Sequence, residues 1–152
     1  MLAPYQFHYR IERRRDGTYQ AVFFQLPECH CAARSLDALF ASLEDAIVSA
    51  LETRLAQKEP LPEFERAHAG ENTHTLNTTH MLKLQMHVAL AAREWSLMEF
   101  GQRLGLRPQE VTRLLRLSHP TKIDPIMEAL QVLGVQIQWN VSLTEFPPES
   151  YR

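Results

Sequence analysis

Apolar and polar residues alternate through residues 5–12, near the start of the chain. A period of two predicts a strand with one buried face. The pair Asp16-Gly17 is the strongest short signal for a hairpin, so residues 19–24 are expected to return as a second strand. Residues 29–33 are a plausible third strand. The apolar positions of the first alternation are Tyr5, Phe7, Tyr9 and Ile11.

Residues 35–57 change to apolar spacings of three and four. This period predicts one long amphipathic helix, with Ser35 as its N-cap. A segment containing two prolines and a glycine then interrupts the pattern over residues 58–72. Residues 73–77 are a candidate for a fourth, short strand.

Helical spacing dominates the second half of the chain. We expect a helix over residues 78–93, two helices within 97–116, and another over 123–133. Residues 135–143 alternate again and predict a C-terminal strand. That strand lacks an obvious partner in its own half, and pairing across a dimer axis would satisfy its edge. The candidate N-caps are Thr78 or Thr79 for the first of these helices and Thr121 or Asp124 for the last.

The segment 97–116 has the spacing of two helices that cross over a tight turn. Gly101 is small where the first helix passes closest to the second, and Gly105 can take the left-handed conformation that ends a helix. Pro108 suits the first position of the second helix. The segment therefore predicts a helix-turn-helix that binds DNA. The alternative is a helical corner with no role in nucleic-acid binding.

Polar side chains on the outer side of the second helix favour DNA binding. Gln109, Thr112 and Arg113, with Arg116 as a secondary candidate, can hydrogen-bond base edges. Arg107 and Lys122 suit phosphates. Residues 93–122 carry a local charge of +3 in a chain of net charge −2, as expected of a DNA-facing surface. The predicted DNA-binding residues are Arg107, Gln109, Glu110, Thr112, Arg113, Arg116 and Lys122.

Charge divides the chain. Residues 26–71 carry −5, which predicts a second surface with a different partner from the basic segment 93–122.

The length of 152 residues and the apolar content of 45% fit one domain or two small ones. No stretch has the roughly 20 apolar residues of a membrane span, and the N-terminus lacks the apolar core of a signal peptide. Cys29 and Cys31 are too close together to brace a fold by a disulfide. We therefore expect a cytoplasmic protein that needs no cofactor and has no membrane partner.

The order of these motifs resembles the HicB family of antitoxins, in the version with a C-terminal helix-turn-helix. Glu28 and Ala33 or Arg34 depart from the family pattern, which usually has glycine at these places. The resembling motifs of the N-terminal half are the Asp-Gly hairpin, Tyr19-x-Ala21-x-Phe23, Leu26-Pro27-x-Cys29, Ser35-Leu36 and Pro60-x-Pro62. Those of the C-terminal half are Gln109-Glu110-Val111-Thr112-Arg113-Leu114 and Thr121-Lys122-Ile123-Asp124.

The resemblance implies an α+β fold, with a partial RNase H-like sheet and one long helix followed by an all-α, phage-repressor-like helix-turn-helix domain with a C-terminal strand. It implies that the N-terminal half binds and masks a small basic HicA-like ribonuclease toxin. The C-terminal half would form a homodimer or higher homo-oligomer, bind operator DNA and repress its own operon. An acidic surface suits a basic toxin. The toxin-binding candidates are Phe23, Gln25, Glu28, Asp37, Glu44 and Asp45.

Four segments follow from this interpretation. The toxin-binding domain is expected over residues 1–62, extended by a strand at 73–77 if that strand joins the sheet. Residues 63–77 form the linker, and residues 78–143 form the DNA-binding and dimerisation domain. Residues 144–152 are expected to be a flexible tail.

Enzymatic activity is a rival interpretation that the sequence disfavours. A metal-dependent nuclease needs several converging carboxylates, but residues 18–27 contain no acid. Strand alternation would place Cys29 and Cys31 on one face and His30 on the other, so these three cannot close around one zinc ion. No catalytic residue and no metal ligand is therefore predicted.

A second rival remains open. The chain could be a free-standing helix-turn-helix repressor whose N-terminal half senses a small molecule or another protein. A neighbouring short reading frame that encodes a basic protein would favour the antitoxin over this repressor.

Overall fold

The alternating N-terminal segments form a four-stranded antiparallel sheet in the computed structural model, which describes residues 5–63, 67–139 and 141. Its strands are β1 (Gln6–Arg13), β2 (Tyr19–Phe23), β3 (Cys31–Ala33) and β4 (Asn72–Thr75), in the order β3-β2-β1-β4. The turn between β1 and β2 is fixed by Asp16, whose carboxylate accepts hydrogen bonds from the Thr18 amide at 2.9 Å and hydroxyl at 2.6 Å. Gly17 takes a φ of +84°, as the Asp-Gly signal predicted.

Helix α1 (Leu36–Ala56) packs one apolar face on this sheet. It begins where predicted, since the Ser35 hydroxyl accepts a hydrogen bond from the Ala38 amide at 3.2 Å. Tyr9 and Phe23 pair across β1 and β2 with ring centroids 5.3 Å apart. Burying each large apolar side chain contributes about 1.5–3 kcal/mol to the stability of this first core. Its buried members from β1, β2 and α1 include Phe7, Tyr9, Phe23, Leu39, Leu43, Ile47 and Leu51.

Four helices build a second core in the C-terminal half. They are α2 (Thr78–Arg93), α3 (Leu97–Leu104), α4 (Pro108–Leu115) and α5 (Ile123–Val132). Gly134 follows α5 with a φ of +79°, as expected of a residue that ends a helix. The buried residues of this second core include Leu82, Met86, Leu90, Phe100, Val111, Leu114, Ile126 and Leu130.

The first core extends well past residue 62. Leu76, Leu84 and Leu117 come from later in the chain, yet all three are buried in the core of the sheet and α1. β4 pairs with β1 over Asn72–Thr75, so a fourth strand forms near the candidate range 73–77 and belongs to the sheet, although it ends two residues earlier. The N-terminal unit is therefore assembled from both sides of residues 63–71.

Glu44 of α1 joins three elements. Its carboxylate is paired with His74 of β4, and it accepts hydrogen bonds from the Asn77 amide at 2.9 Å and from His80 at 2.6 Å. Burial acts to raise the pKa of this carboxyl, but the hydrogen bonds from His74, His80 and Asn77 outweigh it and lower the pKa to about 2. A carboxylate from the first half of the chain thus fixes where α2 begins.

Three sequence predictions need correction at the ends of elements. β3 begins at Cys31 rather than residue 29, because residues 26–29 form a turn in which the Cys29 amide donates to the Leu26 carbonyl. Asn77 caps α2 in place of Thr78 or Thr79, and its side chain accepts from the His80 amide. Helix α5 has no side-chain cap from Thr121 or Asp124, since the Thr121 hydroxyl donates to the His119 carbonyl instead.

The described residues of the predicted C-terminal strand at 135–143 do not form a strand. Residues 135–139 and 141 have no strand assignment, while Asn140 and residues 142–143 lie outside the described residues, as does the predicted tail at 144–152. The Val135 amide donates to the Leu130 carbonyl of α5 at 2.9 Å. The side chains of Val135 and Ile137 pack against the second core. Apolar alternation alone does not make a strand without a neighbouring edge.

No helix among the described residues combines the length and the hydrophobicity needed to cross a lipid bilayer.

The Glu44 contacts predict an acid-sensitive fold. Because the folded pKa is about 2 and the ordinary value is 4.5, the stabilisation is present above about pH 4.5 and is lost as the pH falls towards 2. We expect Glu44→Gln to lower the free energy of unfolding by about 2 kcal/mol at neutral pH and to flatten its fall in acid. Urea unfolding at several pH values measures both effects. The exposed Glu59→Gln is the control, and equal acid sensitivity in the two variants would contradict the assignment.

Candidate functional site

Helices α3 and α4 cross at Gly101. A β-carbon at this position would lie 2.9 Å from a methyl group of Val111 and 3.1 Å from the Leu106 carbonyl oxygen, so no larger side chain fits without movement. Gly105 ends α3 with a φ of +67°, and the Leu106 amide donates to the Gly101 carbonyl at 2.9 Å. The predicted roles of both glycines are confirmed.

The first turn of each of these short helices is held by a glutamate. In α3 the Glu99 side chain accepts from the Ser96 amide at 2.9 Å, and the Ser96 hydroxyl accepts from the Glu99 amide at 3.1 Å. In α4 the Glu110 carboxylate accepts from the Arg107 amide at 2.8 Å. Pro108 occupies the first position of α4, as predicted. Local sequence therefore fixes where each helix starts.

The outer side of α4 carries polar side chains that are exposed. All seven predicted DNA-binding residues are exposed. The side chains of Gln109 and Arg113 make no hydrogen bond or ion pair within the described part of the chain, so they are available to a ligand. Thr112 donates its hydroxyl to the Pro108 carbonyl at 3.0 Å, which leaves oxygen lone pairs for a partner. Glu110 is the exception, because its carboxylate is engaged in holding the start of α4.

The end of α4 is held from behind by polar side chains that sequence reasoning did not identify. Lys83 of α2 is fully buried, and its ammonium donates to the carbonyls of Arg116 and His119, both at 2.7 Å. His87 of α2 bonds the Leu115 carbonyl at 2.7 Å. Burial lowers the pKa of Lys83 to about 8 and also lowers that of His87. The signal in the sequence was a single lysine among the mostly apolar residues 81–90.

The acidic face predicted on α1 is partly present. Asp37 and Asp45 are exposed on the first three turns of α1, as are Leu36 and Phe40, which are 39% and 45% exposed. Carboxylates beside exposed apolar side chains can combine long-range attraction with desolvation on contact. This acidic face, defined here by Leu36, Asp37, Phe40 and Asp45, is the strongest candidate for a protein partner.

Phe23 is not at the surface where a toxin-binding residue was expected. It is buried in the first core, because strand alternation turns it with Ala21 towards α1. The next residue, Phe24, is 45% exposed, and the Arg10 guanidinium lies 4.7 Å from its ring centroid. Phe24 is therefore the accessible aromatic residue at this end of β2.

The remaining toxin-binding candidates are already engaged within the chain. Gln25 accepts from the His8 amide at 2.8 Å and donates to the Gln6 carbonyl at 3.3 Å. Glu28 forms an ion pair with Arg54, whose hydrogen bond lowers the pKa of the carboxyl. Together with the inward contacts of Glu44, these bonds reduce the free acidic candidates to Asp37 and Asp45.

Cys29 and Cys31 are buried as free thiols. Burial raises the pKa of Cys29 to about 12, with further contributions from Cys31 and Glu28, so its reactive thiolate is strongly disfavoured. Within the described residues, no group of three or more histidine, cysteine or acidic side chains is placed to hold a metal ion. The thiols act as small apolar groups in the first core.

Comparison with known proteins places antitoxins among the relatives of this chain. Antitoxin HicB 2 of Photorhabdus laumondii is 29% identical over 131 residues, covering 86% of this chain and 93% of that protein. Antitoxin HicB of Escherichia coli K12 is 25% identical, covering 80% and 88%, and Antitoxin HicB of Pseudomonas fluorescens is 26% identical over 150 residues, covering 93% and 98%. The chain is a homologue of HicB antitoxins over most of its length, as its motif order predicted.

The other two comparisons add less. The crystal structure of the N-terminal domain of the Burkholderia pseudomallei antitoxin HicB covers 49% of this chain and 98% of that domain. Its TM-score is 0.38 at 18% identity, which is too weak a likeness to establish a shared fold. No protein-family model matches the chain.

The close approach at Gly101 predicts a strict size limit. We expect Gly101→Ala to lower the free energy of unfolding by about 1–3 kcal/mol, because the new methyl group overlaps Val111 and the Leu106 carbonyl. Thermal unfolding monitored by circular dichroism measures the loss. Gln102→Ala, an exposed change one residue away, should stay within about 0.5 kcal/mol of the wild type. If both variants matched the wild type, the helices would not be in contact at Gly101.

Proposed function

We propose that this chain is the antitoxin of a type II toxin–antitoxin pair. It binds and masks a small basic HicA-like ribonuclease toxin, and it represses its own operon by binding operator DNA. The observation that carries this proposal is homology to HicB antitoxins along both halves of the chain, since one relative aligns over 150 residues. This role requires no catalysis and no cofactor, and its place is the cytoplasm, where operon and toxin are found.

The DNA-binding element of this proposal is a phage-repressor-like helix-turn-helix made of α3 and α4. Gln109, Thr112 and Arg113 read base edges in the major groove, and their exposure on α4 supports this role. Arg116 is a secondary candidate for base reading, and Arg107 and Lys122 contact phosphates. Glu110 contributes indirectly, by holding the Arg107 amide at the start of the reading helix.

The proposed assembly is a dimer or higher oligomer through the C-terminal half. A helix-turn-helix dimer presents its two reading helices to successive major grooves, about 34 Å apart. Trp139 and Val141 are 63% and 89% exposed in the single chain, so the segment beyond α5 has apolar surface to bury against a second copy. Pairing of residues 135–143 across the dimer axis would use that surface and complete the strand predicted there.

Toxin masking is the proposed role of the N-terminal half, a partial RNase H-like unit of sheet and α1. The acidic face supplies Asp37 and Asp45 for attraction of a basic toxin, with Leu36 and Phe40 for close contact. Carboxylates held against an RNA-binding surface exclude RNA phosphates by charge as well as by bulk. Gln25 and Glu28 hold the loop between β2 and β3 in place through their bonds to His8 and Arg54, respectively.

A free-standing repressor that senses a small molecule is the second candidate. One observation favours it, a largely apolar groove of about 660 Å³ between α1 and the α2–α4 surface, lined by Leu55, His87, Leu97 and Thr112 among others. The two functions differ in whether a small basic protein, encoded beside this chain, binds it. If purification from the native host yields no small basic protein bound to this chain, the sensor becomes the better explanation.

DNA reading is tested on α4. Arg113→Ala should weaken binding to a duplex from the region upstream of the chain's own reading frame by about 1–3 kcal/mol, provided that Arg113 contacts a guanine. The double variant Gln109→Ala/Arg113→Ala should lose most of its preference over a scrambled duplex. Arg107→Ala should weaken both duplexes alike and reduce the salt dependence. Fluorescence anisotropy at several salt concentrations measures these effects.

Two comparisons decide the result. Gln102→Ala, on the exposed side of α3, is the matched control and should bind both duplexes as the wild type does. Unchanged preference in the double variant would show that α4 does not read DNA.

Toxin masking is tested on the acidic face. Asp37→Lys/Asp45→Lys should slow association with the small basic protein encoded beside this chain by about tenfold or more, because attraction becomes repulsion. Growth rescue on co-expression should fail accordingly. Glu128→Lys on α5 is the control, since it reverses an exposed acid in the other half. Full rescue by the double variant would remove the acidic face from the toxin interface.

A further inference from the structure

The turn after α4, residues 116–119, is the place where both halves of the chain hold the same short segment. On one side, Lys83 of α2 donates to the carbonyls of Arg116 and His119. On the other, Glu52 of α1 accepts hydrogen bonds from Ser118, at 2.8 Å from its amide and 2.9 Å from its hydroxyl. Between them Leu117 is buried in the first core.

Glu52 is the member of this arrangement that comes from the N-terminal half. One oxygen of its carboxylate accepts both bonds from Ser118, and hydrogen bonds to an ionised acceptor are about twice as strong as neutral ones. The buried ammonium of Lys83 lies near enough to interact electrostatically with the same carboxylate. Glu52 is therefore used inside the molecule and is not available to the acidic face.

Helix α4 depends on such end contacts for its orientation. It has eight residues, little more than two turns, and helices of that length are not stable by themselves. Its start is set by the Gly105 turn and the Glu110–Arg107 bond. Its far end is set by the turn that Glu52 and Lys83 hold. A shift of that turn would tilt Gln109 and Arg113 together, and base contacts tolerate little displacement.

We propose that Glu52 of α1 is a positioning residue for DNA reading, which fixes the end of α4 through Ser118 and so sets the angle at which α4 enters the major groove. This inference rests on the proposed function of α4 as a DNA reader. It gives the N-terminal half a part in sequence recognition, although Glu52 itself does not contact DNA.

The experiment uses the full chain and a duplex that the wild-type protein selects from a random pool. Glu52→Ala should weaken binding to the selected duplex about tenfold while leaving binding to a scrambled duplex of equal length almost unchanged, because non-specific binding depends on basic side chains and phosphates, which this substitution leaves in place and which carry no sequence information. Glu52→Gln keeps an oxygen acceptor for Ser118 and should recover most of the loss. The matched control is Glu59→Ala, which removes an exposed acid just beyond α1 without touching the turn.

A second variant and a second measurement keep the inference testable if Glu52→Ala fails to fold. Ser118→Ala removes one of the two hydrogen bonds and should lose selectivity by about two- to threefold. Hydrogen exchange of the Ser118 amide should be slow in the wild type and in Glu52→Gln, and fast in Glu52→Ala.

The outcomes separate the inference from the function beneath it. If the wild type selects no sequence from the pool, the proposed DNA reading fails and the inference fails with it. If the wild type selects a sequence but Glu52→Ala and Ser118→Ala retain full selectivity, α4 reads DNA and Glu52 does not position it. Equal weakening on both duplexes, or no recovery in Glu52→Gln, would likewise overturn the positioning role.

Discussion

Burial of Leu117 in the core of the sheet is the constraint on which the arrangement of the two halves depends. Leu117 lies only two residues beyond α4, yet it is 1% exposed and buried in the first core. A hydrophobic residue in this position cannot leave its core without exposing apolar surface at a cost of about 1.5–3 kcal/mol. The chain therefore cannot place α4 independently of the N-terminal unit, and the polar contacts around Leu117 act on an already restricted turn.

The distribution of charge acquires a different meaning once the contacts are known. Residues 26–71 carry −5, but Glu28, Glu44 and Glu52 spend their carboxylates on Arg54, on His74 and His80, and on Ser118. A carboxylate that loses contact with water stabilises a fold only when hydrogen-bond donors replace that water, and each of these three has such donors within the chain. The acidic face is thus smaller than the composition suggests, because these three acids are engaged in contacts within the chain.

Periodicity predicted most of the fold. The hairpin, the sheet strands, α1, and the α3–α4 pair with Gly101, Gly105 and Pro108 all lie close to their expected places, because these elements depend on local signals that a sequence displays. Among the functional candidates, the exposed side of α4 was predicted well for the same reason. Phe23 was misplaced because a strand exposes every second residue, and an error of one position exchanges the core for the surface.

By itself the sequence determined the order of elements, the exposed polar side of α4 and the likeness to HicB antitoxins, since each is written in spacing or in motif order. Only the tertiary structure decided that β4, Leu84 and Leu117 complete the first core. It also decided that Lys83 and Glu52 form hydrogen bonds with the turn after α4. These contacts join residues that are 33 to 66 positions apart. No local pattern specifies which distant carbonyl a buried lysine will meet, because that partner is chosen by the packing of three helices at once.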